Sequence, residues 1–339
     1  MNGRERTIAF LEGRPVDHVP FHPLVMQYAA ELTGVNYKSF CTDYRQQSKA
    51  MVEFARNYGL DWLHPAGWPY CEAIAYGLQV SFPEDGLPLS KEHLIQDPEE
   101  DLDRIRPLDI ESSAVMMNRV EGVRYNKETV GDEFFLAAHC EGPLAEYTDL
   151  RGVENGLMDL IMYPDEVTDA MKIIVDNAKR WIFLQVQAGA ECVSIGDAVC
   201  SQISESMYAE LIQPLHKELA DYIRSLGVYS KFHICGNITH LIPRLIDLGI
   251  NIIDVDHMVD LKPEFYAAMR QGQCFCGNID PVSQLRLGTP ESICNAVCDV
   301  MKNSGGKLIL ASGCEVPKGT PIENYSAFHE IASRYPVVF

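Results

Sequence analysis

No run of apolar residues in this sequence approaches the roughly 18 that a membrane span requires, although 47% of its 339 residues are hydrophobic. Membrane-spanning helices are therefore not expected. Cations are scarce too: 28 Lys and Arg stand against 48 Asp and Glu, a formal net charge of −20. A field of that sign repels phosphate backbones, and no dense basic cluster overrides it locally, so no nucleic-acid partner is expected. Also missing are a low-complexity linker and a strong internal repeat, which leaves one domain over 1–339 as the expected organisation. The opening MNGRERTIAFLEGRP reads as a short charged helix without the apolar core of a signal peptide, and a cytoplasmic protein is expected.

What the chain has in unusual number is cysteine, eleven in all. In a reducing compartment such thiols are core fillers, nucleophiles or metal ligands, rarely disulfides. Each must be sorted by its surroundings in the sequence.

Short apolar runs alternate with amphipathic helical stretches, the pattern of βα units around a parallel sheet. Strands are predicted at 17–23, 60–64, 133–139, 191–196, 228–233, 250–255, 272–277 and 306–311. Helices are predicted at 165–188, 205–226, 239–248, 262–270, 290–303 and 322–334. Eight strands with intervening helices point to an α/β fold of the (β/α)8 TIM-barrel type. The first half is less regular, and 75–131 reads as an insertion decorating the barrel, with a β-hairpin near 121–137.

In such a barrel the reacting groups come from the C-terminal ends of the strands and the loops after them. Those positions hold His22, His64, His139, Cys140, Glu141 and Asp197, then HICGN (233–237), DVDH (254–257), CGNIDP (276–281) and SGCEVP (312–317). His233 and Cys235 are two apart on an extended segment and point the same way, so both can bind one ion; Cys314 can add a third ligand from across the mouth. Three protein ligands leave one tetrahedral position open, the mark of catalytic zinc, and an N/S/S set suits zinc over magnesium or calcium. The alternative open at this point is a hydrogen-bonded barrel histidine with two cysteines filling the core.

Among the other thiols, Cys294 and Cys298 lie on a helical stripe with Ile293, Val297 and Val300, which favours packing. Cys274 and Cys276 share one face of a strand and could join a metal site, whereas Cys41, Cys71, Cys140, Cys192 and Cys200 have no partner pattern. Asp197, Glu141 and His139 are the candidate acid–base groups; His22, His64, Asn237, Asp256 and Asn278 are candidate substrate contacts, and His257 and Glu315 also lie at the mouth.

These motifs together resemble the uroporphyrinogen decarboxylase superfamily, and within it the corrinoid-dependent methyltransferases. The likeness extends over essentially the whole chain and is densest from about 189 to 334, in GAECVSIGDAVCS, HICGN, CGNIDP and SGCEVPKGTPIEN. It implies that His233, Cys235 and Cys314 are zinc ligands. It also implies a small methyl donor or thiol acceptor as substrate, and cobalamin supplied by a separate corrinoid protein, since no DxHxxG pattern for ligating cobalt is present. In one version a thiol loses its proton at the metal and attacks the methyl group of methylcobalamin. In the other, a methyl ether, methanol or methylated amine gives its methyl to cob(I)alamin while a mouth side chain protonates the leaving heteroatom; analogy with the branch's range of methylated compounds favours this one. The alternative is the decarboxylase of tetrapyrrole biosynthesis. That branch carries an arginine-rich RQAGR segment near its N-terminus, and the matching stretch here, FHPLVMQYAAE (21–31), has no arginine.

Overall fold

In a computed structural model of the chain, residues 1–64, 67–302 and 304–335 are described. Seven parallel strands form one curved sheet in the order β1 (Trp62–Leu63), β4 (Phe135–Glu141), β5 (Cys192–Gly196), β6 (Tyr229–Ile234), β7 (Ile252–Val255), β8 (Cys274–Ile279) and β9 (Leu308–Ser312). β2 (Val80–Ser81) and β3 (Leu89–Ser90) make a separate antiparallel ladder. Long strand side chains such as Val193, Phe232, Ile253 and Leu310 are fully buried, as expected for a sheet covered on both faces.

The strand expected at 17–23 is reduced to one bridge, Phe21 to Leu310. Pro20 and Pro23 flank the bridge and lack N–H donors, so the ladder cannot extend. The bridge nevertheless closes the ring. Leu310 N donates to Pro20 O and His22 N to Leu310 O, both at 2.9 Å, while Asp61 N donates to Phe21 O at 3.1 Å just before β1. Residues 20–22 thus stand as the eighth stave between β9 and β1, and the expected TIM-barrel class holds.

The hairpin expected near 121–137 is not there. Ala114–Val130 is a helix, with Met116, Val120 and Val123 buried at helical spacing, and β4 follows after Gly131. Gly122 sits inside this helix where a Cβ would come within 3.3 Å of the Tyr44 side chain. The helix packs against β4 as part of the barrel's outer layer. Within the stretch 75–131, the residues between the helices Cys71–Tyr76 and Ala114–Val130 carry only short elements: the β2–β3 ladder, the single helical turn Pro98–Asp101 and two 3-10 turns. Two helices between β4 and β5, Pro143–Arg151 and Val153–Met162, had no counterpart in the sequence pattern. The predicted 165–188 helix is Pro164–Gln187, and the one at 205–226 starts at Glu205–Met207, passes through a π-turn over Tyr208–Ile212 and continues as Gln213–Ser225. Among the described residues no helix is long and apolar enough to cross a membrane.

Candidate metal centre and active site

β6 alternates Tyr229, Lys231 and His233 on one face, and Cys235 continues that alternation past the strand end. Gly236, in the left-handed region at φ 86°, then turns the chain away, its N–H donating to Asp256 Oδ2 at 2.9 Å. Cys314 follows β9 by way of Gly313, where any Cβ would strike the backbone nitrogen of His257. Glycine is what lets the two loops pass closely enough to present Cys314 inward.

The outcome is a compact donor set. His233 Nε2 lies 3.0 Å from Cys235 Sγ, and Cys235 Sγ lies 3.7 Å from Cys314 Sγ. All three ligand atoms fall within 4.8 Å of one another, and all three residues are half-buried. Two thiolates bound at ~2.3 Å with a tetrahedral angle would sit roughly 3.8 Å apart, close to the sulfur–sulfur spacing found. The residues fit zinc in donor type and in spacing. The two sulfurs are in contact with either able to donate, and that contact with Cys235, together with nearby His233, draws the Cys314 thiol below its ordinary range against the opposing effect of burial.

Behind the imidazole, Asp254 Oδ2 is 3.1 Å from His233 Nδ1 and 2.5 Å from Lys231 Nζ. Both Lys231 and Asp254 are buried. Burial opposes ionisation of Asp254, but Lys231 and His233 hold it well below the usual carboxylate range.

On the β4 side, His139 Nε2 lies 3.2 Å from Glu141 Oε1, and Glu141 N donates to Glu72 Oε1 at 2.7 Å. Burial pushes Glu141 and Glu72 up to about 7, with Arg119 counteracting, and keeps His139 well below its ordinary range. Glu146 is more deeply buried and both its carboxyl oxygens lack a protein partner. Arg119 is buried between Trp68 and Trp181, 5.1 and 5.6 Å from the ring centroids.

Asp197 occupies a different kind of place from Glu141. It is 1% exposed. Its oxygens accept from Ala145 N at 2.8 Å and Leu144 N at 3.3 Å, in the first turn of the helix Pro143–Arg151, and Oδ2 also meets His216 Nε2 at 2.9 Å. Asp197, Cys200 and His216 lie close enough to suggest a second metal cluster, but both carboxylate oxygens are already engaged by the backbone. His22 is buried, stacked on Trp62 at 4.3 Å between centroids, with neither ring nitrogen bonded to protein. The His64 ring is 5.3 Å from that of His139. Asp256 binds Gly236 N, Met258 N and His257; Asn237 caps the exposed turn at Thr239; Asn278 donates to Val259 O at 3.0 Å and leaves its Oδ1 without a protein partner. Glu315 accepts from Gln27 N at 2.7 Å.

All eleven cysteines are free thiols. Cys274 and Cys276 are buried in β8 outside the donor cluster, and the expected core pair Cys294 and Cys298 is only half-buried, Cys298 accepting from Tyr335 OH at 2.9 Å. The sequence reading missed Lys231, Glu72 and Arg119. A lysine within the otherwise uncharged strand segment YSKF, two residues before His233, was the one available signal.

Over residues 2–335 the chain matches the family described as uroporphyrinogen decarboxylase (URO-D). It is 25% identical to a methylcobamide:CoM methyltransferase MtaA of Methanosarcina barkeri, covering 98% of both chains. It is 28% identical to a uroporphyrinogen decarboxylase of Synechococcus sp., over 67% of this chain and 65% of that one. Among solved structures, a methyltransferase from Methanosarcina mazei matches with a TM-score of 0.82 at 20% identity, covering 98% of each chain, a likeness of fold.

Proposed function

The chain belongs to the uroporphyrinogen decarboxylase family, and from that premise we propose that it is a zinc-dependent methyltransferase moving a methyl group between a small substrate and the cobalamin of a separate corrinoid protein. The observation that carries this reading is the His233, Cys235 and Cys314 donor set at a barrel mouth. The methylcobamide:CoM methyltransferase relative, similar along nearly its full length, supports the same chemistry. The decarboxylase reading draws nothing from that cluster, and the 21–31 stretch offers no arginine for substrate carboxylates.

Bound zinc would acidify a thiol or polarise the heteroatom of a methyl donor. The chain's own residues do the rest. His233, Cys235 and Cys314 hold the metal and leave a fourth side for substrate. Glu141, its carboxyl raised to about 7 by burial, retains a proton near neutrality and is the group we assign to protonate a leaving heteroatom, with His139 alongside. Asp197, engaged with the backbone and His216, positions the helix after β4 and is not part of our acid–base set. Of the substrate contacts, Asn278 and His64 fit that role best. Asp256 and Asn237 are engaged in loop turns, and His22 lies beneath the mouth against Trp62. The eleven free thiols accord with a reducing, cytoplasmic setting.

A direct assay follows the cobalamin absorbance with zinc-loaded protein. Methylcobalamin is offered thiols in one direction; cob(I)alamin is offered methyl ethers, methanol and methylamines in the other. Transfer in at least one direction, abolished in Cys314→Ala, is the expected result. No transfer in either direction by zinc-replete protein would contradict the reading.

A further inference from the structure

Behind the donor set lies a buried pair of opposite charges, Lys231 and Asp254. Lys231 and Asp254 are 1% and 2% exposed, and their charged atoms are 2.5 Å apart. Desolvating two charges inside a core is costly, and a neutral, well-packed replacement is often neutral or stabilising. Neighbouring positions on these strands are apolar: Phe232, Ile234, Ile252, Ile253 and Val255. Such a pair calls for a reason beyond packing.

The strand register supplies one. Lys231 and His233 alternate on the same face of β6, and His233 pairs directly with Asp254 on β7. One Asp254 oxygen, Oδ2, is thereby near both Lys231 Nζ and His233 Nδ1, at 2.5 and 3.1 Å. Nδ1 lies 3.1 Å from the carboxylate, close to it but off a hydrogen-bond line, while Nε2, on the opposite side of the ring, lies 3.0 Å from Cys235 Sγ. A carboxylate beside the remote nitrogen of a metal-binding histidine fixes the tautomer and the ring orientation. An aspartate that must hold one rotamer to do so needs a second fixed partner, and Lys231 is that partner.

We propose that Lys231 and Asp254 are positioning residues for the metal centre: Lys231 pins Asp254, and Asp254 holds His233 with Nε2 directed at the thiols. The proposal rests on the zinc reading above and adds residues that touch neither metal nor substrate. Lys231 acts only through Asp254, so its removal has opposite effects depending on whether the carboxylate is present.

The test measures zinc affinity by chelator competition, and the visible spectrum of the cobalt-substituted protein, for wild type, Asp254→Asn, Lys231→Met and the double variant. Asp254→Asn should weaken zinc binding by about 10–100-fold and Lys231→Met by about tenfold, each with shifted cobalt bands. In the Asp254→Asn background, Lys231→Met should instead regain affinity, because it removes an unpaired buried cation. Circular dichroism checks folding, and the double variant carries no buried charge. Should the single variants misfold, histidine ¹⁵N spectra of zinc-loaded wild type decide: a proton on Nδ1 and metal on Nε2 of His233 is expected, and the reverse overturns the proposal. Lys231→Met with unchanged or tighter binding and an unaltered cobalt spectrum overturns it too, while leaving the zinc reading intact. A wild-type protein that binds no zinc overturns both.

Discussion

Glu141 and Glu72 are two carboxyls that burial holds near neutrality for different ends. Glu141 is raised to about 7 and lies beside His139 at the mouth. A general acid works only while protonated, so transfer from a methyl donor should be full below that value and fall as pH rises through it. Glu141→Gln should cost about 10²–10⁴-fold in that rate and abolish the fall, read from a pH–rate profile. An unchanged profile would remove Glu141 from the mechanism. Glu72, 6% exposed and also raised to about 7, has an ordinary value near 4.3 in the unfolded chain. Its folded value being the higher, its favourable contribution is full below about 4.3 and is lost as pH rises through about 7. Glu72→Gln keeps an oxygen for Glu141 N. Its stability advantage over wild type should therefore grow by about 1–3 kcal/mol between about pH 5 and about pH 8, measured by chemical denaturation. An advantage independent of pH would show that Glu72 is not titrating in that window.

Strands and loops convert these residues into a site, and the sequence was legible to differing depths at this scale. Six of the predicted strands lie within a few residues of β4 to β9, because continuous apolar runs bounded by turns are what a doubly covered parallel strand requires. The stave at 20–22 was misjudged in length because two prolines cut its ladder to one bridge. The helix Ala114–Val130 was read in part as a hairpin, since the burial that makes Arg119 an inward residue is set by Trp68 and Trp181, remote in sequence. His233 and Cys235 were legible from period-two alternation, but Asp254 as the partner of His233 depends on cross-strand register, which a linear pattern does not carry. Gly313 is the element-scale counterpart of the ligands. Gly313→Ala forces a side chain onto the His257 backbone. It should destabilise the protein by about 1–3 kcal/mol and weaken zinc binding by displacing Cys314. A variant with wild-type melting and zinc affinity would show that the loop has room to yield.

At the scale of the whole molecule, ring closure through Phe21 gathers loops from distant parts of the chain at one end of the barrel. Cys235 and Cys314, separated by 79 positions, come within 3.7 Å there, and the half-burial of all three donors leaves them within reach of substrate. The fold is shared with a solved methyltransferase, but folds host many chemistries and the site must decide. Zinc content of the purified protein, determined by elemental analysis for wild type and for Cys314→Ala, is the most direct measure of that site. About one zinc per chain in the wild type, lost in the variant while the barrel remains folded, is the expected result. A zinc-free wild type after chelator-free purification, or a variant that retains stoichiometric metal, would contradict the assignment of His233, Cys235 and Cys314.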